Sequence, residues 1–237
     1  MRLDIFYDSI GLPGYKTGWG FSCLVSTHEG KVLFDCGWDA DILLKNLEKM
    51  GTKPHTIKTV VISHSHWDHL GGLAGFLSAR SKVATDKCTV FVPRSFSPPL
   101  KHEISRRVRL REVGPRSVQV IPRLTLTQEM GEDIKEIALI GETKKGSVVV
   151  SGCMHQANRF LPLLISKDIY LMIGGFHDVK VDAFPMPHTY LVAPCHCTKE
   201  RQAMRGAFGI RYLTLGVGNY LEIGESKIKP RKRRISS

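Results

Sequence analysis

Three histidines and an aspartate fall within six consecutive positions, His64-Ser65-His66-Trp67-Asp68-His69, and no other feature restricts the fold of this chain as tightly. The run Thr59-Val60-Val61-Ile62 before it is β-branched and apolar and predicts a short buried strand. Leu70-Gly71-Gly72-Leu73 after it opens a helical pattern that should run from Gly71 to Ala79. The cluster therefore belongs to a tight turn at the carboxyl end of a strand, where open α/β sheets place their ligand sites. Across such a turn His64 and His66 aim at one point, and Asp68 and His69 at a second. Imidazole and carboxylate ligate zinc, iron, manganese or nickel. The bland alternative, a His-rich polar loop, asks for adjacent imidazoles where packing has no use for them.

The sequence resembles the metallo-β-lactamase superfamily through its HxHxDH motif. Phe21-Ser22-Cys23-Leu24-Val25 and Lys31-Val32-Leu33-Phe34-Asp35-Cys36-Gly37 also look like that superfamily's opening hairpin, which ends in a buried Asp before Gly. The resemblance runs to about residue 224 and implies an αββα four-layer sandwich, an α/β fold, around a site of one or two metals. It implies two divalent ions, zinc first, with manganese and iron as alternatives.

Three further turns end in histidine: Gly152-Cys153-Met154-His155, Gly174-Gly175-Phe176-His177 and Pro194-Cys195-His196-Cys197-Thr198. Each follows an apolar, strand-like run, and parallel strands ending at one edge would gather these histidines. The superfamily pattern supplies a third His to the first metal, an Asp bridging both, and a last His to the second. No His lies between His102 and His155, and Cys153 stands at the bridging place. The resemblance thus implies His64, His66, Asp68, His69, His155 and His196 as metal ligands. Cys153 is open between bridging as thiolate, ligating one metal, or packing, and a thiolate would favour zinc. Asp68 could also orient a nucleophilic water, and His177 could donate to substrate or leaving group.

The trio of turns looks like the branch that carries 7,8-dihydropterin-6-yl-methyl-4-(β-D-ribofuranosyl)aminobenzene 5′-phosphate synthase activity. That branch reads GCSHPG and HCTG, and this chain lacks both glycines, having Gln156-Ala157 and Lys199 there. The leading expectation is a metal-dependent hydrolase or transferase acting on a phosphorylated small molecule. The rivals are a nuclease or cyclic-nucleotide phosphodiesterase, and a metal-bearing sensor without turnover.

Charge bears on the partner. The net charge is +12, and six of those charges lie in Lys227–Arg234. This tail, residues 227–237, has no apolar period and is expected to be mobile beyond a domain of residues 1–226. Nucleic-acid contact through it is one expectation, solubilising surface the other. A second basic stretch, Lys101 to Arg116, follows a loop expected at Ser97-Pro98-Pro99 and suggests a lid or insertion. Its Arg106, Arg107 and Arg109 could hold a substrate phosphate bidentately.

No run is apolar and long enough to cross a membrane, and Met1-Arg2-Leu3-Asp4-Ile5 lacks a signal-peptide core, so a cytoplasmic protein is expected. Six scattered cysteines fit reduced thiols better than a disulfide framework. Elsewhere, strands are expected over 3–9, 19–36, 90–93, 137–140, 147–150, 169–173 and 189–193, with a helix over 39–50. Trp67 is expected to pack beneath the metal turn.

Overall fold

The strands alternate apolar residues on both faces, and a sheet with two apolar faces must be covered twice. In β2 (Ser22–Ser26) and β3 (Lys31–Phe34), Cys23, Val25, Val32 and Phe34 point into one core, while Leu24 and Leu33 join another. In β10 (Gly146–Ser151) and β11 (Ile169–Gly175), Val148, Val150, Leu171 and Ile173 join the first core, and Val149 and Met172 a third. The computed structural model, which describes residues 1–163 and 168–224, resolves this pattern into an αββα sandwich.

The first sheet runs in the order β13 (Tyr220–Glu222), β1 (Arg2–Tyr7), β2, β3, β4 (Thr59–Val61), β5 (Thr89–Pro93), β6 (Arg109–Val113). The second runs β12 (Thr189–Cys195), β11, β10, β9 (Leu139–Thr143), β8 (Leu124–Leu126), β7 (Val118–Ile121). The first core fills the space between the sheets. Helices α1 (Ala40–Lys49), α3 (Leu73–Ser81) and α4 (Pro98–Ser105) cover the outside of the first sheet. Helices α5 (Ala157–Phe160) and α6 (Arg201–Phe208) lie on the outside of the second. Asp39 caps α1 by accepting from the amides of Asp41 and Ile42, which satisfies two otherwise orphan donors.

Strands β3 to β6 are parallel, as are β10 to β12. Two antiparallel steps relate β1 to β3, so β1 shares their direction. The carboxyl ends of β1, β3 and β4 meet those of β10, β11 and β12 along one rim, and that rim carries the site.

The structure corrects two expectations and adds three strands. The basic stretch is not a lid. Pro98 and Pro99 occupy the first turn of α4, where a missing N–H costs nothing, and Arg109 to Val113 pair with β5 as an edge strand. Strands β7, β8 and β13 went unrecognised because each is short and half-polar. Trp67 does not pack beneath its turn; it is 64% exposed. The basic tail lies outside the described residues. Among the described residues, no helix is long and apolar enough to cross a membrane.

Candidate metal centre

Strand β4 ends at Val61, and Ser63 and His64 are fully buried just beyond it. His66 occupies the N-cap position of the single-turn helix α2 (Trp67–Leu70), whose first turn holds Asp68. His69 lies on the buried side of that turn. The neighbouring β3 ends at Phe34, and the next residue, Asp35, has a left-handed backbone (φ 59°) that turns its carboxylate back under the histidines. That carboxylate accepts from the Ser63 amide at 2.7 Å, the Ser63 hydroxyl at 2.8 Å and His69 Nδ1 at 2.7 Å.

These bonds decide the tautomers. His69 gives its Nδ1 proton to Asp35, so Nε2 presents a lone pair. Ser63 Oγ, donating to Asp35, accepts from His64 Nδ1 at 2.8 Å, and His64 Nε2 is likewise left as a donor to an ion. Burial and the neighbouring imidazoles hold His64 well below the usual histidine range and His155 at about 4. Both are neutral at physiological pH, the form that ligates.

The second sheet supplies the other half. His155 lies with His64 and His66, their nitrogens within 4.8 Å of one another. Asp68, His69 and His196 form a second such group, and Cys153 joins both sides, its sulfur 3.1 Å from His69 Nε2. His64 Nε2 and His66 Nδ1 are 3.1 Å apart, close to the ~3.3 Å edge of a tetrahedron with ~2.0–2.1 Å metal–nitrogen bonds. His155 Nε2 and His196 Nδ1 are buried without a hydrogen-bond partner among the described residues. A buried polar atom left unpaired costs about 1–3 kcal/mol, and an ion would remove that cost at His155. The donor set and the orphaned nitrogens fit divalent metal.

Asp68 accepts from His196 Nε2 at 2.9 Å. Burial pushes its carboxyl up, but that bond and the His69 and His196 charges outweigh it and hold the group at about 2. Cys197 Sγ lies 3.3 Å from Cys153 Sγ. In this sulfur pair, the thiolate formed first accepts the other's S–H. Cys197 is thereby lowered and Cys153 raised.

Two carboxylates unassigned from sequence fasten the ligand turns. Asp8, at the end of β1 and fully buried, accepts from the His196 amide at 3.2 Å, while Arg201 donates to the His196 carbonyl at 2.9 Å. Glu136, also buried, accepts from the amides of Met154 and Gln156 on either side of His155. Burial raises Asp8 above the usual carboxylate range despite Arg201, and raises Glu136 to about 7 despite its two amides. Among the described residues five non-glycines have positive φ, and four are here: Asp35, Met154, His177 and His196. Each left-handed residue costs about 1–2 kcal/mol, which the clamps offset. Gly152 is required by contact, since a Cβ there would lie 2.1 Å from Ser63 Oγ. An acid far along the chain that binds a ligand's backbone leaves no local signal, so motif reading did not find these clamps.

His177 sits at the rim, its ring centroid 4.6 Å from that of His155 and its Nδ1 2.8 Å from Asp178. Arg106, Arg107 and Arg109 are not at the site. They lie at the amino-terminal end of β6, level with Thr89 and Thr59, a full strand from the histidines. Arg106 and Arg107 pair with Glu103, and Arg107 lines a cleft of about 390 Å³ with Leu77, Arg80 and Asp86. The parallel direction of the sheet separates them from the carboxyl-terminal rim, which Arg-rich composition could not reveal. All three tryptophans are exposed: Trp67 lies in the metal turn, the Trp19 ring is 4.6 Å from that of His196, and the Trp38 backbone adjoins Gly20 and Gly71.

A sequence profile of the family described as anti-Pycsar protein Apyc1 matches residues 15–138. The 7,8-dihydropterin-6-methyl-4-(β-D-ribofuranosyl)-aminobenzene-5′-phosphate synthase of Methanocaldococcus jannaschii is 22% identical, the match covering 64% of this chain and 67% of the synthase. Ribonuclease Z of Pediococcus pentosaceus is 40% identical over 39% of this chain, but only 30% of the ribonuclease is spanned. Among solved structures, Tm1679, a metal-dependent hydrolase of the β-lactamase superfamily, superposes with a TM-score of 0.76 at 26% identity. That match covers 95% of this chain and 100% of Tm1679.

Proposed function

The chain belongs to the anti-Pycsar protein Apyc1 family and has the fold of a metal-dependent hydrolase of the β-lactamase superfamily, and from that premise we propose that it hydrolyses small phosphodiesters at a two-metal centre. The carrying observation is the pair of adjacent donor groups, His64/His66/His155 and Asp68/His69/His196, joined at Cys153. Paired metal sites of this kind recur in phosphatases and nucleases. Trp19, exposed and with its ring 4.6 Å from that of His196, favours a substrate with a planar heterocycle, since an aromatic side chain stacks on such a ring for about 1–3 kcal/mol. A cyclic nucleotide is the compact form of that class. Action against Pycsar, which the family's name states, is the corresponding biological proposal. A pterin phosphate, suggested by the synthase relative, fits the same chemistry.

When bound, two divalent ions, zinc first, supply Lewis-acid activation of water and neutralise charge at phosphorus. The protein's own residues do the rest. Asp35 and Ser63 fix the His64 and His69 tautomers so that both Nε2 lone pairs point inward. Asp68, ionised at neutral pH, would accept a hydrogen bond from the attacking water and so orient it. His177 donates its Nδ1–H to Asp178, so Nε2 carries a lone pair; it would take the proton released by the attacking water and pass it to the leaving oxygen. Asp8, Arg201 and Glu136 keep the His196 and His155 turns from relaxing.

The test is turnover of a substrate panel by zinc- and manganese-loaded protein: cyclic mononucleotides, a pterin phosphate, bis(p-nitrophenyl) phosphate and a structured RNA. Hydrolysis of the small phosphodiesters, lost in Asp68→Ala, is expected. Cleavage of RNA alone would move the reading to a nuclease, and no turnover with both metals bound would favour the sensor.

A further inference from the structure

Six cysteines are buried and free, and four of them are accounted for by packing. Cys23 and Cys36 belong to apolar cores, and Cys88 and Cys195 direct their sulfurs at backbone carbonyls 3.4 Å away. Cys197 is different. It follows His196, is 8% exposed, and places its sulfur 3.3 Å from that of Cys153 rather than against a carbonyl.

We propose that Cys197 is a second sulfur donor of the centre, so that Cys153, Cys197 and His196 together hold a thiophilic divalent ion on the side of the second metal. This rests on the two-metal reading and adds a ligand to it. The donor atoms of the three residues lie within 4.8 Å of one another. His196, 3% exposed, supplies the imidazole of this trio from the residue directly before Cys197. Space is reserved for the sulfur, because a Cβ on Gly175 would stand 2.8 Å from Cys197 Sγ.

Magnitudes separate ligation from a disulfide. Two thiolates on one zinc at ~2.3 Å bonds stand about 3.8 Å apart, so the observed 3.3 Å must open by roughly 0.5 Å. A disulfide at ~2.05 Å requires closure by more than 1 Å and a two-electron oxidant. Two thiolates beside imidazole select zinc or ferrous iron over manganese or magnesium. The pair would thus set which metals the centre accepts.

The experiment is a cobalt(II) titration of reduced, chelator-stripped full-length protein, read by near-ultraviolet thiolate-to-cobalt charge transfer and by bound cobalt per chain. The expected wild-type band has two-thiolate intensity, Cys153→Ser and Cys197→Ser each retain about half of it, and the double variant none. A residual band in Cys153→Ser alone already identifies Cys197, should Cys197→Ser fail to fold. Two bound cobalt ions with no band, or a band abolished by Cys153→Ser and untouched by Cys197→Ser, would overturn the proposal while leaving the metal centre standing. No bound cobalt would overturn both.

Discussion

Replacing Asp35 by asparagine changes the wiring of the centre at one atom. Oδ1 accepts from the Ser63 amide, and Oδ2 accepts from both the Ser63 hydroxyl and His69 Nδ1. An asparagine amide has one acceptor and one donor, so either orientation sets a donor against a donor. With the amide nitrogen at the Oδ2 place, His69 must take its other tautomer, accepting at Nδ1 and carrying its proton on Nε2. That proton sits on the atom that faces Cys153 at 3.1 Å. Losing an outer partner of this kind costs about 10- to 100-fold in metal affinity, or ~1.4–2.8 kcal/mol. The fold pays separately: two hydrogen bonds to a charged group, at about 1.5–3 kcal/mol each, predict a loss of roughly 3–6 kcal/mol. Against a typical total of about 5–15 kcal/mol this is a large drop in melting temperature. Zinc competition with a chromophoric chelator, on reduced and stripped protein, measures the first quantity, and thermal unfolding the second. Wild-type affinity at both sites together with an unchanged melt would refute the tautomer argument.

Three other outcomes follow from the same geometry. On the proposed role at the leaving oxygen, His177→Ala should lower kcat by about 10²- to 10⁴-fold with the metal content unchanged; loss of metal would instead make it a ligand. Glu136 is raised from 4.5 to about 7, so the native state binds its proton more tightly than the unfolded state. Stability of the metal-free protein should therefore fall, by at most about 3 kcal/mol, as pH rises through that window, and Glu136→Gln should flatten the trend in urea melts. Arg107→Ala should leave KM for any phosphorylated substrate unchanged, since it removes an exposed pair with Glu103 at the far end of the sheet.

The HxHxDH turn was legible because one turn holds two divergent pairs of candidate donors, His64/His66 and Asp68/His69, which fall in separate donor groups. The αββα fold was legible through resemblance and through strands such as Val148-Val149-Val150, whose apolar faces enter different cores. What escaped was long-range. Asp8 binds the amide of a residue 188 positions away, and the register that does this is set by sheet order rather than by any nearby pattern. The arginines misled for the opposite reason: their chemistry suited phosphate, but strand polarity put them at the wrong end of β6. Trp67 misled because a tryptophan beside a buried histidine reads as core, while the α2 turn faces its ring outward.

The proposed function stands on two metal ions acting together at the rim. Its most direct test is a zinc titration of stripped, reduced protein, following turnover of bis(p-nitrophenyl) phosphate. Activity should rise until about two equivalents per chain and then level off. Full activity at one equivalent, or none at two bound equivalents, would contradict it.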